Sequence, residues 1–245
     1  MINTILDQTD MEKPRTPSQL RAHVTSLLEQ IGRNKEAKKL GRLRKGLSKY
    51  LIREMLPLSV FSVWKYPQDG VLCVPQIGNQ GYDAIITDLN GRQLIQVEIT
   101  WPVDGQHENY QARSLNERGH TDVEVGDTEE GRAAVKARIL EGARAKARID
   151  YGSASLLVVM NLWPEFLLDQ PDAQADVNDL IARLQCFRYR AGAVYLLLFP
   201  KEYVVRLEIA PVVEVKDGEQ PRGPLFSTCA DMGRKMVTRG VKLHE

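Results

Sequence analysis

The centre of the chain reads GYDAIITDLNGRQLIQVEITW over residues 81–101. Two runs rich in Ile and Val, which are typical of strands, flank the dipeptide Asn90-Gly91. Both positions of a two-residue hairpin turn favour residues that tolerate positive φ, and Asn and Gly do so most readily. The stretch therefore predicts an antiparallel β-hairpin.

This hairpin sets two acids near each other. Asp83 precedes the turn by seven residues and Glu98 follows it by seven, so antiparallel pairing brings them opposite. An acid pair on facing strands is costly unless a cation neutralises it. Mg²⁺ takes one or two carboxylates and completes its shell with water and substrate phosphate. The pair therefore predicts a metal site, against the alternative that one or both acids point to solvent.

The segments around the hairpin predict an α/β fold with a central mixed sheet flanked by helices. The pattern predicts an N-terminal helical, basic extension (residues 1–50), an α/β core (51–215), and a linker and tail (216–245). Thr16 is expected to cap the first long helix, with Pro17 at its first position. Beyond the hairpin strands, β-prone or apolar runs predict strands at 60–64, 71–75, 156–160, 193–199 and 203–209, and helical patterns cover 133–151 and 172–188.

Asp83, the hairpin and Glu98-Ile99-Thr100 together resemble the PD-(D/E)xK superfamily of restriction-endonuclease-like nucleases. The pattern of that superfamily is an acid on one strand, a turn, and Asp/Glu-x-Lys on the next strand. The resemblance spans roughly residues 50–165, in the order helix, three strands, helix, strand. It implies a restriction-endonuclease-like core in which Asp83, Glu98 and the carbonyl of Ile99 bind Mg²⁺ (or Mn²⁺). The implied activity is metal-dependent cleavage of nucleic-acid phosphodiesters.

The sequence departs from that pattern at the motif lysine, which is replaced by Thr100, and before Asp83, where Tyr82 stands instead of Pro. In the superfamily the lysine orients or activates the attacking water and stabilises negative charge, and a neutral Thr cannot do the electrostatic part. Thr100 can still hydrogen-bond the water. A lysine from the later helix is expected to substitute, either Lys146, which is nearer the following strand, or Lys136.

Three alternatives stay open at this point. The protein is a nuclease, or a catalytically degenerate module of the same fold that binds nucleic acid or a protein partner. The third alternative is an unrelated α/β protein, such as an immunity or regulatory partner, in which the motif arose by chance. Glu54, on the helix before the strands, is a further candidate acid, as an upstream acid is in some relatives. Its alternative is an ion pair with Arg53 or Lys49 in solvent.

Basic residues concentrate in one segment. Residues 33–53 hold nine Lys or Arg against the single acid Glu36, a local charge of +8, so the rest of the chain carries −7 because the net charge is +1. Helical spacing predicts one amphipathic helix whose cationic stripe contacts nucleic-acid phosphates; the stripe comprises Lys38, Arg42, Lys45, Lys49 and Arg53, opposite Leu40, Leu43, Leu47 and Leu51. The alternative is a solvated face, or one that pairs with the acidic stretch 122–130. After the hairpin, Arg113 and Arg118 are expected to clamp phosphate.

The overall composition limits the protein class. Of 245 residues, 43% are hydrophobic and 27% charged, with a net charge of +1, which excludes a wholly cationic binder such as a histone-like chain. The longest apolar runs are far shorter than the roughly 20 residues that cross a bilayer, so no membrane partner is expected. Three scattered cysteines without CxxC spacing indicate a reducing compartment, and the cytoplasm is the predicted location.

Overall fold

A six-stranded mixed sheet organises the protein, whose computed structural model describes residues 5–78, 81–102, 105–120, 129–161, 171–199 and 203–207. The strands lie side by side in chain order. Their bounds are β1 Val71–Pro75, β2 Ala84–Asp88, β3 Gln93–Thr100, β4 Ser155–Asn161, β5 Ala193–Phe199 and β6 Tyr203–Leu207. β3, β4 and β5 pair in parallel, whereas the other neighbours are antiparallel. The predicted α/β class with a mixed sheet flanked by helices is confirmed.

The helices cover both faces of this sheet. Their bounds are α1 Gln8–Met11, α2 Pro17–Arg33, α3 Lys35–Arg42, α4 Leu47–Tyr50, a π-helical turn Leu51–Met55, α5 Leu56–Lys65, α6 Gly105–Glu117, α7 Glu129–Ala147 and α8 Pro171–Gln185. None of the helices in the described ranges combines the length and the apolar character needed to cross a bilayer.

The hairpin of β2 and β3 is confirmed. Ala84 pairs with Val97, and Ile86 with Ile95, before a bulge shifts the register. The Asp88 carboxylate accepts the backbone N–H groups of Asn90 and Arg92, each at 2.9 Å, and so closes the turn. Of the two predicted turn residues only Gly91 has positive φ, +84°, which only glycine adopts without cost.

Two apolar layers hold the helices on the sheet. Side chains alternate along β4, so Leu157 faces α2 and α5 in one cluster while Leu156 faces α7 and α8 in the other. The N-terminal helices share the first cluster with β1, β2 and β3. The boundary at residue 50 stays a prediction, and residues 216–245 lie outside the described part of the chain.

The helix α2 begins as the sequence predicts. Thr16 is the N-cap, its hydroxyl accepts the N–H of Gln19, and the Gln19 side chain in turn accepts the N–H of Thr16. Pro17 follows at the first helical turn, where its missing N–H costs nothing. This reciprocal cap anchors the start of the helix that covers one face of the sheet.

The prediction of one continuous helix over 33–53 is wrong. The segment is α3, a turn, α4 and the π-helical turn. Arg44 has φ +49° and Gly46 φ +56° with ψ −138°, a conformation outside the helical region, so the helix breaks there. Of the four leucines in the predicted apolar stripe, Leu51 is fully buried and Leu47 packs, partly buried, against the same core.

The strand predicted at 60–64 is part of the helix α5 instead. Pro57 lies in the first turn of α5, where it is compatible with a helix. The hydroxyls of Ser59 and Ser62 donate to backbone carbonyls three residues earlier, Leu56 and Ser59. Phe61 packs edge-on against Tyr195 of β5, with ring centroids 4.9 Å apart. Packing on the sheet therefore overrides the β propensity of this segment.

Candidate functional site

The two hairpin acids lie together at the end of the sheet where the interior strand β4 begins. Asp83 immediately precedes β2, and its N–H donates to the carbonyl of Val97 at 2.9 Å. Its carboxylate Oδ2 accepts the N–H of Ile99 at 2.7 Å. These two bonds hold Asp83 across the strand that carries Glu98, as the symmetric spacing about the turn predicts. Glu98 itself pairs in register with Leu156 at the start of β4.

Lys146, in the last turn of α7, reaches the same point. Its Nζ lies 2.9 Å from Oε1 of Glu98. Close packing earlier on α7 permits this, because a Cβ at Gly142 would stand only 2.8 Å from Cβ of Pro102. Lys136 is elsewhere, bound at 2.7 Å to Asp176 and Asp179 of α8. Of the two lysines considered as substitutes for the motif lysine, the structure brings only Lys146 to Glu98.

Glu54 is a third carboxylate at this site. It lies on the π-helical turn, which is tied to the end of β3 because the indole N–H of Trp101 donates to the carbonyl of Arg53 at 2.7 Å. Burial raises the pKa of Glu54 to about 8; the nearby charges of Asp83 and Glu98 add to the shift, and Lys49 opposes it. A π-helical turn inside a helix is a feature often found at functional sites.

The pKa values of Asp83 and Lys146 are also shifted by burial and by the charges of their neighbours. Burial raises the pKa of Asp83 to about 6, assisted by the charge of Glu98 and opposed by the N–H of Ile99, Lys146 and Lys49. Burial works against the charged form of Lys146 as well, but its hydrogen bond to Glu98 holds the pKa of Lys146 above its usual value. Lys146 is therefore a permanent cation among acids.

Tyr151 completes the surroundings of Lys146. Burial raises the pKa of this phenol, and the charges of Glu98 and Asp83 act in the same direction while Lys146 opposes them. Its hydroxyl is buried and has no hydrogen-bond partner of normal geometry among the described residues. The hydroxyl also interacts with Lys146, so it lies beside the cation and can serve a ligand or water that enters the site.

Thr100 stands where the motif lysine is expected. It lies two residues beyond Glu98 on β3, so the two side chains project to the same face of the sheet. The neighbouring Ile99 side chain is in the apolar core, and its backbone N–H holds Asp83. The strand thus presents Glu98 and Thr100 to the site and anchors Asp83 between them.

The donor chemistry fits Mg²⁺ or Mn²⁺, although no ready-made cage is present. In the described ranges, no group of three or more His, Cys, Asp or Glu side chains is arranged to hold a metal ion as it stands. Mg²⁺ does not require such a group, because one or two carboxylates suffice when water and substrate phosphate supply the rest. Among described residues no bond uses Oδ1 of Asp83 or Oε2 of Glu98, so each acid keeps one oxygen for a cation.

The predicted phosphate-binding residues are not gathered on one helix face. Lys38, Lys45 and Lys49 are exposed, but they lie on either side of the break at Gly46. Arg42 is half-buried, and its guanidinium donates to the carbonyl of Leu115 and to Oδ1 of Asn116 at the end of α6. Of the predicted phosphate-binding residues in the described ranges, Lys49 lies close enough to the acids to oppose the raised pKa values of Glu54 and Asp83.

The helix α6 occupies the other side of the basic segment. Its Glu108 forms ion pairs with both Arg44 and Arg53. The alternative partner proposed for Glu54, Arg53, is therefore engaged by Glu108. Arg113 and Arg118 are exposed on and just after α6, and Arg118 donates to the hydroxyl of Tyr110 at 3.4 Å. Of the acidic stretch 122–130, only Glu129 and Glu130 lie in the described part.

Sequence reasoning did not single out Arg148, Arg188 and Arg190, which lie beside Tyr151. The backbone N–H of Tyr151 donates to the carbonyl of Arg190 at 2.7 Å. Arg148 is some forty residues from the other two in the chain, and they become neighbours only through the parallel pairing of β4 with β5. Residues 162–170, which follow β4, lie outside the described ranges.

Comparison with known proteins identifies no relative for this site. The chain matches no protein-family profile. No significantly similar protein was found among curated sequences or among solved structures. The function is therefore inferred from the geometry and chemistry of the site itself.

Proposed function

We propose that the protein is a metal-dependent nuclease of the PD-(D/E)xK type, which hydrolyses nucleic-acid phosphodiesters. One observation carries this proposal: Lys146 of α7 lies 2.9 Å from Glu98, beside Asp83. A cation among the acids supports a shift of the motif lysine from position 100 to the neighbouring helix. The order α5, β1, β2, β3, α7, β4, with α6 inserted, supports a restriction-endonuclease-like core.

The acids are suited to hold Mg²⁺ or Mn²⁺. Asp83 and Glu98 would bind it through the oxygens that the protein leaves without partners, together with the carbonyl of Ile99. When bound, such a metal polarises the scissile phosphate and lowers the pKa of a coordinated water. Glu54 is a further carboxylate beside this pair, and a divalent cation would offset the repulsion among the three.

The remaining residues act on the phosphate and the attacking water. Lys146 stays protonated and is positioned to stabilise the negative charge that develops on the phosphate oxygens. Thr100, on the same face as Glu98, can hydrogen-bond the attacking water, and the buried hydroxyl of Tyr151, beside Lys146, can donate to a phosphate oxygen. Because the site is half-buried, these interactions are stronger than they would be in bulk water.

The proposal is tested by cleavage of labelled single-stranded DNA, duplex DNA and RNA with Mg²⁺, with Mn²⁺ and with EDTA. Cleavage should need the metal. Glu98→Gln and Lys146→Met should each lower the rate by about 100-fold or more, because each removes a group that acts on transition-state charge. Glu141→Gln and Lys13→Met are the matched controls, since both alter exposed side chains, and they should cleave like the wild type. Cleavage that persists in EDTA or in Glu98→Gln contradicts the proposal.

Thr100 favours a second candidate, a catalytically degenerate module that binds nucleic acid or a protein partner. In this case the ion pair of Lys146 with Glu98 would be structural, a neutralised remnant of the site. The same experiment separates the two candidates. Binding to nucleic acid that weakens with salt, without cleavage of any of the three substrates in either metal, supports the module and contradicts the nuclease.

A further inference from the structure

Two turns that carry arginine lie side by side where β4 and β5 begin. The N–H of Tyr151 donates to the carbonyl of Arg190 at 2.7 Å, and the N–H of Gly192 donates to the carbonyl of Ala154 at 2.9 Å. A Cβ at Gly192 would lie 2.5 Å from the carbonyl oxygen of Ser153, so only glycine permits this approach. The two turns therefore form one fixed surface.

We name this surface the arginine rim and define it as Arg144, Arg148, Arg188 and Arg190. All four residues are exposed. The acid of these turns is Asp150, which pairs with Arg190, so the rim has a local excess of three positive charges. Arg144 lies over the ring of Phe187, 5.7 Å from its centroid, which ties this guanidinium to the turn of Arg188.

Two of the four arginines are free to bind a ligand. In the part of the chain that the structure describes, no carboxylate pairs with Arg148 or Arg188. Arg188 borders an open groove of about 470 Å³, lined by Asp150, Gly152, Arg188, Tyr189, Arg190 and Ala191. Like charges gathered on a fixed surface repel one another, and a polyanion relieves this repulsion.

The rim adjoins the candidate site directly. Arg148 follows Lys146 by two residues, and Tyr151 lies between the rim and the acids, with its backbone on Arg190 and its phenol near Lys146 and Glu98. Each strand of a duplex carries one phosphate for every 3.4 Å or so of helix axis. A strand with one phosphate at Lys146 therefore has its next phosphates within reach of the rim.

We propose that the arginine rim binds the phosphodiester backbone of nucleic acid on the side of the site that α7 and β5 form. That the bound nucleic acid is also a substrate rests on the proposed function, whereas the binding itself does not depend on that function. Guanidinium groups bind phosphate oxygens in a bidentate manner, and the rim presents arginine only. The stripe predicted on residues 33–53, by contrast, is split by a turn, and its Arg42 is bound by α6.

The test is binding of fluorescent single-stranded DNA, duplex DNA and RNA in EDTA, where no metal-dependent cleavage occurs. The double variant Arg148→Gln/Arg188→Gln should bind at least 10-fold more weakly. Loss of two phosphate contacts should also reduce the slope of log K against log salt by about 2 between about 50 and 200 mM NaCl. Arg33→Gln/Arg92→Gln removes the same charge at exposed sites, each 80% accessible, and should bind like the wild type.

The outcomes separate this inference from the proposed function. Weaker binding by the rim variant, with no cleavage by the wild type, supports the rim and contradicts the nuclease. Cleavage by the wild type together with unchanged affinity and salt slope in the rim variant would overturn the rim and leave the nuclease intact. The rim proposal is also overturned if the wild type binds no nucleic acid. It is likewise overturned if the rim variant loses binding to an acidic protein but keeps its affinity for nucleic acid. A thermal melt verifies that each variant is folded.

Discussion

At Glu54 a carboxyl group is held mostly out of water with two other carboxylates nearby. Burial, Asp83 and Glu98 all favour its neutral form, which is why its pKa rises to about 8. In an unfolded chain the same group ionises near its ordinary value of 4.5. Between these two values the folded protein holds a proton that the unfolded chain releases, so the stability of the metal-free protein falls as pH rises.

Glu54→Gln should remove this pH dependence. In EDTA, the free energy of unfolding of the wild type should fall relative to the variant by about 1–2 kcal/mol from about pH 5 to pH 8, less than the full pKa shift implies because part of the side chain meets solvent. Urea denaturation across that range measures it. Glu117→Gln, which alters an exposed acid of α6, serves as the control and should follow the wild type. Parallel curves for the wild type and Glu54→Gln would show that Glu54 ionises normally.

Among helices, α7 is the element on which the site depends most. Gly142 lets α7 lie against Pro102, one helical turn before Lys146 reaches Glu98. Any side chain at residue 142 must push α7 and the end of β3 apart. The lysine and the acid that carry the proposed chemistry are therefore positioned by a residue that touches neither.

Two helical glycines allow this contact to be measured. Gly32 of α2 faces open space, so Gly32→Ala should raise the free energy of unfolding by about 0.5–1 kcal/mol, the ordinary gain in a helix. Gly142→Ala should instead lower it by about 1–2 kcal/mol, because the added methyl group overpacks against Pro102. It should also slow metal-dependent cleavage, while Gly32→Ala should not. Chemical denaturation and cleavage assays measure both effects, and stabilisation by Gly142→Ala contradicts this role.

Elements with local signals could be predicted from the sequence, and those set by packing could not. The Asn90-Gly91 turn, the Thr16 cap and the apolar strands β4 and β5 each follow from short-range chemistry. By contrast, α5 looks β-prone and is helical because the sheet packs against it. The break at Gly46 was equally hidden, since helical spacing continues across it.

The same division applies within the candidate site. Asp83 and Glu98 follow from symmetric spacing about a turn, and Lys146 from its position near a helix–strand junction. Glu54 is a candidate from the sequence, but the choice between a site acid and a solvent ion pair required its burial, which the sequence does not reveal. The rim arginines required the pairing of β4 with β5, a contact between distant segments.

Across the whole molecule, low pH should reduce the free energy of unfolding through a different group from the one that acts at high pH. Arg132 and Lys136 of α7 bind Asp176 of α8, and these bonds hold the pKa of Asp176 below its usual value. A lowered pKa means that the unfolded chain takes up protons first as pH falls, so the contribution to stability is present above about pH 4 and lost below it.

Asp176→Asn should therefore matter at neutral pH and not in acid. We expect its unfolding temperature to lie about 2–4 °C below that of the wild type near pH 7, the shift typical of about 1 kcal/mol in a domain of this size. The difference should shrink as pH falls below about 4, through the lowered pKa of Asp176, because the wild-type carboxylate is progressively protonated there. Differential scanning calorimetry measures both values, with Glu141→Gln as the control on an exposed acid. A constant difference at all pH values would indicate lost packing, not lost ion pairs.

The path of the chain through the sheet also sets the order in which the parts of the site form during synthesis. Asp83 and Glu98 meet through a short turn, whereas Lys146 reaches them only when β4 docks beside β3 after a long crossover through α6 and α7. Closing that loop costs entropy before any contact compensates it, so the local hairpin forms first. A nascent chain that has emerged from the ribosome as far as the hairpin already contains both acids. Any activity that needs Lys146 therefore begins only once the crossover has folded.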